Sequence, residues 1–206
     1  MSEDPREQEV KLAISDPSDL DRLIAALGEP DAVIEQQNTY FDTPAGTLRS
    51  RGAMLRIRKA GDSIVATLKS DATFVDGYMQ CTEIEEGVAP AIWADVDASA
   101  GGISALDIPP VIRALALLDH GEKLIALGEA RNTRRVYHRS GGRVFEVDRT
   151  VLPGGRVEAE IEVETSDPHA VRSELEALLN AHQIAWRPQS KTKYERFLEA
   201  RGLFSG

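Results

Sequence analysis

The residues with the clearest chemical potential are carboxylates and basic side chains that alternate with other residues along short segments. Near the N-terminus, Glu7, Glu9 and Lys11 are separated by single residues. Side chains of a β-strand point alternately to its two faces, so this spacing places all three on one face. The alternation recurs later in the chain, at Arg56 and Arg58, at Glu83 and Glu85, at Glu146 and Asp148, and at Glu158, Glu160, Glu162 and Glu164. Such charged faces either meet water or line a polar cavity.

The two classes of side chain suit different parts of one ligand. Paired carboxylates are hard oxygen ligands for Mg²⁺ or Mn²⁺. Arginine and lysine bind phosphate oxygens, and arginine often does so through two parallel hydrogen bonds. A cavity with both sets therefore suits a polyphosphate and its metal, because phosphoryl transfer needs mainly positioning and neutralisation of charge. The sequence has no Walker loop and no glycine-rich dinucleotide motif.

The elements that must position these side chains are mostly strands. The alternation predicts strands at 7–14, 33–41, 53–59, 63–70, 78–86, 132–139, 143–150 and 156–164. Apolar residues at helical spacing predict one helix after Ser15 or Asp16 and another that begins at Pro168. Residues 87–127 are predicted to connect two groups of strands and to hold a short helix at 111–118. Residues 192–201 are either a further helix or a strand followed by a helix.

The apolar stripes of the helices decide which way the charged strand faces point. A single strand with one charged face is most simply explained by a wet surface. However, four adjacent glutamates on one face repel each other and need cations nearby. If the helices cover the apolar faces of the strands, the charged faces point inward. A sheet closed into a barrel would then have a charged lumen and no free edges.

Composition limits the classes of function. The chain has 206 residues, 42% hydrophobic and 28% charged, which predicts a single folded domain spanning 1–206. Its net charge of −10 argues against general binding of nucleic acid. One cysteine, Cys81, excludes an internal disulfide, and no apolar run approaches the length of a membrane span. The polar Met1–Arg6 lacks the apolar region of a signal peptide, so we expect a cytoplasmic protein.

The order of the charged motifs resembles that of the CYTH superfamily, the triphosphate tunnel metalloenzymes. Glu7-x-Glu9-x-Lys11 is similar to the family's N-terminal ExExK signature. The further matches, in family order, are Asn38 to Pro44, Leu55 to Arg58, Thr67 to Lys69, Phe145 to Asp148, Ala159 to Glu162 and Thr192 to Tyr194. The resemblance covers almost the whole chain. It implies an α+β fold, a closed antiparallel eight-stranded β tunnel with a charged lumen and helices packed outside.

The resemblance also implies a role for each matching residue. Glu7 and Glu9 resemble metal-site carboxylates, and Lys11 resembles a lysine that contacts phosphate. The implied phosphate-binding residues are Lys11, Arg56, Arg58, Lys69, Arg134 and Lys193, and the implied metal-binding set is Glu7, Glu9, Glu83, Glu85, Asp148, Glu160 and Glu162. The implied catalytic set is Glu7, Glu9, Lys11, Glu160 and Glu162. Three placements have a rival: Glu158 beside Glu160, Arg135 beside Arg134, and Lys191 beside Lys193.

As a CYTH relative the chain would hydrolyse a triphosphate with Mg²⁺ or Mn²⁺. Our first hypothesis is hydrolysis of inorganic tripolyphosphate to pyrophosphate and phosphate. The rivals are a thiamine triphosphatase or nucleotide triphosphatase, a class IV adenylate cyclase, and a polyphosphate-binding module without catalysis. Trp93 or Trp186 near the tunnel mouth would favour an organic triphosphate. We expect a monomer or homodimer that binds a small molecule, and neither nucleic acid nor a membrane.

Overall fold

The computed structural model describes residues 6–75, 78–94, 96 and 102–203, and more of these residues form strands than helices. The strands are β1 (Arg6–Ile14), β2 (Ala32–Asp42), β3 (Met54–Ala60), β4 (Ser63–Val75), β5 (Tyr78–Gly87), β6 (Ile125–His138), β7 (Val144–Val151), β8 (Val157–Glu164) and β9 (Trp186–Pro188). Their hydrogen-bonded order is β5-β4-β3-β2-β6-β7-β8-β1-β9, and β5 also pairs with β1. The first eight strands thus close into an antiparallel β-barrel, and β9 is an extra strand on β1. The predicted α+β fold is confirmed.

Short helices connect the strands. They are α1 (Leu20–Leu27), α2 (Thr47–Ser50), α3 (Pro90–Ala94), α4 (Pro109–Leu115), α5 (Pro168–Ala181) and α6 (Lys193–Ala200). Aspartates cap two helical segments, as the sequence predicts. Asp16 accepts a hydrogen bond of 2.9 Å from the Ser18 backbone N–H before α1, and Asp167 accepts one of 3.1 Å from Ala170 at α5. None of the described helices combines the length and the apolar character that crossing a membrane requires.

The described chain forms two compact units, each with its own apolar core. Unit I is built mainly from Gln36–Ala72 and Cys81–Ala130, and unit II from Glu7–Glu35, Thr73–Gln80 and Arg131–Gly206. Each unit contains its own set of charged residues.

The core of unit II lies between helices and the apolar faces of its strands. Helix α1 contributes Leu20, Leu23 and Leu27, and α5 contributes Val171, Leu175 and Leu179. The strands contribute Val10, Leu12 and Ile14 from β1, Phe145 and Val147 from β7, and Ala159, Ile161 and Val163 from β8. Burying one such leucine or isoleucine stabilises the fold by roughly 1.5–3 kcal/mol. Because the apolar residues of β1, β7 and β8 face the helices, their charged residues point to the opposite side of the sheet.

Unit I repeats this arrangement with different elements. Leu55 and Ile57 of β3 and Leu68 of β4 pack with Val111 and Ala114 of α4. The alternate residues of β3, Arg56 and Arg58, therefore lie on the strand face that points away from α4.

Two strands extend beyond their predicted bounds by five residues or more. β6 begins at Ile125 rather than 132, because Gly128, with φ 135°, interrupts the alternation that the prediction used. The prediction ends β4 at residue 70, because aspartate at position 71 is unfavourable in a strand. The strand nevertheless continues to Val75, with Asp71 at a φ of 54°. The short strand β9 is not predicted at all.

Candidate active site

In unit II, the pairing register of β6, β7, β8 and β1 sets the charged side chains in two rows. In one row Arg134 is opposite Asp148, which is opposite Glu160. In the other row Glu146 is opposite Glu162, which is opposite Lys11. Each row thus brings two acidic side chains into adjacent positions, which destabilises a sheet unless cations lie between them.

The centre of these rows is a buried group of three carboxylates, Asp148, Glu160 and Glu162, which we call the acidic cluster. The exposed fractions of their side chains are 0%, 1% and 5%. One oxygen atom from each lies within 4.8 Å of the others. Three converging carboxylate oxygens form a hard donor set, which is what Mg²⁺ and Mn²⁺ prefer. The cluster is therefore able to bind a divalent metal ion.

Lys193 lies directly on the acidic cluster. Its Nζ atom is 2.7 Å from Asp148 Oδ2, 2.7 Å from Glu160 Oε1 and 2.7 Å from Glu162 Oε1. Burial alone would lower the pKa of Lys193, but the three carboxylates raise it above its usual value. The same carboxylates remain ionised, since burial would raise the pKa of Glu162 whereas Lys11, Lys193 and Arg134 lower it well below its usual range.

The position of Lys193 is fixed by the start of α6. Thr192 is the N-cap: its hydroxyl accepts a hydrogen bond of 3.1 Å from the backbone N–H of Glu195, whose side chain accepts one of 2.7 Å from the Thr192 backbone N–H. This capping box satisfies two backbone donors of the first turn. It places the first helical residue, Lys193, beside the acidic cluster.

Arg134 binds the cluster from β6 with a fork of hydrogen bonds. Its Nε atom donates to Asp148 Oδ1 at 2.9 Å, and Nη2 donates to Asp148 Oδ2 at 2.7 Å and Glu162 Oε2 at 2.8 Å. Nη1 also pairs with Glu146. Two parallel bonds to one carboxylate fix both partners, because the guanidinium is planar and rigid.

The N-terminal motif contributes the third cation. Lys11 Nζ lies 2.7 Å from Glu9 Oε1 and 3.1 Å from Glu162 Oε1, so it links Glu9 to the acidic cluster. Burial opposes the charge of Lys11, but Glu162 and Glu9 together raise its pKa. Glu7 belongs to β1, but its side chain lies outside the described part of the structure.

Unit I holds a separate basic network. Arg56, which is 6% exposed, donates from Nη2 to Thr67 Oγ1 at 3.2 Å and lies 3.7 Å from Glu85 Oε1. Arg58 donates from Nε to Asn38 Oδ1 at 3.0 Å.

The predicted acidic pair of unit I accompanies these basic residues. Glu83 Oε2 lies 2.7 Å from Lys69 Nζ, and Glu85 Oε1 accepts a hydrogen bond of 2.6 Å from Thr67. Burial would raise the pKa of Glu85, but the Thr67 hydroxyl and the charge of Arg56 lower it. Among the described residues, the group of three carboxylates that converges closely enough to hold one metal ion is the acidic cluster. The two glutamates of unit I also lie beside basic side chains.

Comparison with known proteins identifies the family. The model of the CYTH domain matches residues 5–198 of the sequence. The chain belongs to the CYTH family. The structure of HpAC1 from Hippeastrum, a proposed adenylyl cyclase described as having a dominant triphosphatase activity, superposes with a TM-score of 0.84 at 32% sequence identity, covering 94% of this chain and 95% of that one.

Two bacterial proteins extend the CYTH comparison. YjbK of Bacillus subtilis (strain 168), provisionally assigned as a triphosphatase, is 27% identical over 169 residues, which is 80% of each protein. A structure from Bacillus halodurans, 20% identical, shares the fold with a TM-score of 0.71 over 94% of this chain and 98% of its own. The resemblance that the sequence motifs indicate is therefore confirmed at the level of the family.

The structure separates each of the three rival pairs of CYTH motif residues. Glu158 pairs with Arg196 Nη1 at 2.7 Å and with Arg156, whereas Glu160 belongs to the acidic cluster. Lys191 pairs with Glu199 on the surface of α6. Arg135 lies on the opposite strand face from Arg134, and its buried Nη1 atom has no hydrogen-bond partner among the described residues.

Arg196 is a site residue that the motifs do not predict. Its side chain is 3% exposed, and Nη2 donates to Glu160 Oε1 at 2.9 Å and Oε2 at 2.8 Å. The sequence does contain a signal for Arg196. Thr192 and Glu195 have the spacing of a capping box, which predicts that a helix begins at Lys193. Arg196 is three residues after Lys193, so both cations lie on one face of that helix.

Proposed function

We propose that this protein hydrolyses inorganic tripolyphosphate to pyrophosphate and phosphate with a divalent metal ion. The observation that carries the proposal is the acidic cluster, with its three oxygens within 4.8 Å of one another and Lys11, Arg134 and Lys193 in contact with it. The membership of this chain in the CYTH family, and its similarity to a protein described as having a dominant triphosphatase activity, support hydrolysis of a triphosphate as the class of reaction.

In the proposed reaction, the residues of unit II have two roles. Asp148, Glu160 and Glu162 would hold the metal ion, which would supply neutralisation of the phosphate charge and make water more acidic. Lys11 and Arg134 donate hydrogen bonds to phosphate oxygens and stabilise the negative charge of the transition state. We assign Arg56, Arg58 and Lys69 of unit I, on the strength of the family motifs, to further phosphate oxygens.

Water attacks the terminal phosphorus, the bond from that phosphorus to the bridging oxygen breaks, and pyrophosphate leaves. The carboxylates of the cluster are poor proton acceptors. Burial would raise the pKa of Glu160, but Lys193 and Arg196 lower it. These carboxylates would therefore hold the metal ion without accepting a proton, and the proton released by the attacking water passes to a phosphate oxygen or to solvent.

The positions of the aromatic residues favour an inorganic substrate over an organic one. Trp93 packs against the apolar core of unit I and Trp186 against that of unit II, on the helix side of the strands. Trp186 Nε1 also donates to Asn180 Oδ1 at 3.0 Å. Tyr40 is opposite Arg56, on the charged face of unit I, but it is 2% exposed and offers little ring surface for stacking on a base.

The test is release of phosphate from tripolyphosphate, ATP and thiamine triphosphate, measured side by side with Mg²⁺, Mn²⁺ or EDTA. We expect metal-dependent turnover that is fastest with tripolyphosphate and absent in E162Q. E174Q is the matched control, because Glu174 pairs with Arg143 at a half-exposed position outside the cluster. Preference for thiamine triphosphate would make the protein an organic triphosphatase. Formation of cyclic AMP from ATP would make it a cyclase, the description given to HpAC1.

Binding of tripolyphosphate without turnover in either metal would reject hydrolysis and leave a polyphosphate-binding module. The same assays identify the preferred metal ion. We propose Mg²⁺ or Mn²⁺ because the ligands are all oxygen atoms.

A further inference from the structure

The contacts of Lys193 use the full hydrogen-bonding capacity of its ammonium group. An ammonium has three N–H donors, and three carboxylates lie 2.7 Å from Nζ. The Lys193 side chain is 14% exposed and its partners at most 5%. The nitrogen atom therefore lies at the point toward which the three carboxylates converge.

A divalent ion bound to the same three oxygens would need nearly the same position. Mg²⁺ lies about 2.1 Å from its oxygen ligands, so its centre would fall well within contact distance of Nζ. Two cations at that separation repel each other strongly, and more so away from water. The ammonium and the metal ion cannot both take the three oxygens.

We propose that Lys193 is a built-in cation that occupies the metal position of the acidic cluster in the free protein and leaves it when metal and triphosphate bind. This inference rests on the proposed function, since it assumes that the cluster binds the metal. Occupation of the cluster by Lys193 lowers the metal affinity of the free protein, because only the fraction of molecules in which Lys193 has left the cluster can bind the metal ion. The phosphates of the substrate then accept the displaced ammonium, so metal and triphosphate bind better together than separately.

The surroundings of Lys193 permit this exchange without unfolding of α6. The backbone of its first turn is held by the capping box of Thr192 and Glu195. One turn further on, Arg196 is anchored to Glu160 by two bonds of 2.8 and 2.9 Å. Only the flexible four-carbon side chain of Lys193 has to move. Arg196 stays on Glu160 and keeps the cluster partly neutralised.

The experiment measures Mn²⁺ binding to the free protein, without any phosphate, by titration calorimetry and by electron paramagnetic resonance. We expect K193M to bind one Mn²⁺ at least about tenfold more tightly than the wild type, which corresponds to about 1.4 kcal/mol. K191M is the matched control, because Lys191 is two residues away and pairs with Glu199 instead. Its Mn²⁺ affinity should equal that of the wild type. The gain in K193M should disappear in the double variant K193M/E162Q, which lacks one carboxylate of the cluster.

Circular dichroism in EDTA checks that each variant is folded. If K193M is not folded, K193Q replaces it, since its amide can still donate to one carboxylate but carries no charge. Mn²⁺ affinity in the folded variant that is equal to or weaker than in the wild type would overturn the competition between Lys193 and metal. That outcome is distinct from failure of the proposed function, which is the absence of metal-dependent phosphate release in the wild type.

Discussion

Replacing Arg134 with methionine is the sharpest test of how the acidic cluster is held together. Arg134 donates two hydrogen bonds to Asp148, of 2.9 and 2.7 Å, and a third of 2.8 Å to Glu162. Methionine fills part of the space but supplies neither charge nor donors. The variant leaves two buried carboxylates with one cation fewer, and Asp148 retains Lys193.

The expected loss follows from the burial of the partners. Removing one member of a buried ion pair costs about 3–5 kcal/mol, because the remaining charge is left uncompensated. Asp148 is fully buried and Glu162 nearly so, so we expect the free energy of unfolding of R134M to fall by that amount. A typical domain has only about 5–15 kcal/mol of stability in total. The double variant R134M/D148N should lose less unfolding free energy than the sum of the two single variants, because the residue that Arg134 paired with is then neutral.

The assay is urea unfolding near neutral pH in EDTA, followed by circular dichroism. The matched control is R135M, because Arg135 is the next residue on the same strand but lies on the other face. Its buried Nη1 atom has no hydrogen-bond partner in the described part of the chain, so we expect a change within about 1 kcal/mol. If R134M is no less stable than R135M, the ion pairs that Arg134 makes with the cluster do not stabilise the fold.

Three further predictions concern turnover, pH and phosphate binding. E9Q should lose at least about 100-fold in metal-dependent phosphate release; undiminished activity would remove Glu9 from the site. Burial would raise the pKa of Asp148, but Lys193 and Arg134 lower it. The contribution of ionised Asp148 to the free energy of unfolding is therefore complete above the ordinary carboxylate pKa and is lost as the pH falls through the lowered pKa. D148N should therefore show a shallower loss of unfolding free energy in acid than the wild type, and parallel pH curves would contradict this. K69M should raise the tripolyphosphate KM about tenfold or more through loss of a charge-assisted hydrogen bond, whereas K59M, which alters an exposed lysine of β3, should leave it unchanged.

The fold is predictable from the sequence wherever alternation and helical spacing are unbroken. The alternate charged and apolar residues of β8 and the leucines of α5 give these elements correctly. The start of β6 is missed because Gly128 breaks the pattern, and β9 is missed because three residues carry no periodic signal. Closure of the sheet depends on pairing between β5 and β1, which are far apart in sequence, and the family resemblance supplies this.

The site is less predictable, since alternation assigns a residue to a strand face but does not say what lies opposite. Glu158 and Glu160 share a face of β8, and the sequence gives no reason to prefer one of them. Helix α6 distinguishes them, because it brings Lys193 to Glu160, whereas Arg196 contacts both glutamates. Such contacts across more than 30 residues of sequence depend on the packing of the helix, which no local pattern encodes.

The register of the strands argues that the acidic cluster exists for chemistry rather than for stability. Asp148 is opposite Glu160, and Glu146 is opposite Glu162, although like charges at facing positions destabilise a sheet. Well-packed apolar residues in place of buried ion pairs often give a more stable protein. Residues that are unfavourable for local stability are found mainly at functional sites. The cations that offset this repulsion come from β1, β6 and α6, and in the function that we propose Lys11, Arg134 and Lys193 exchange carboxylates for phosphate oxygens. On that proposal the network is held together by its ion pairs when the substrate is absent, and it is rearranged when metal and triphosphate bind.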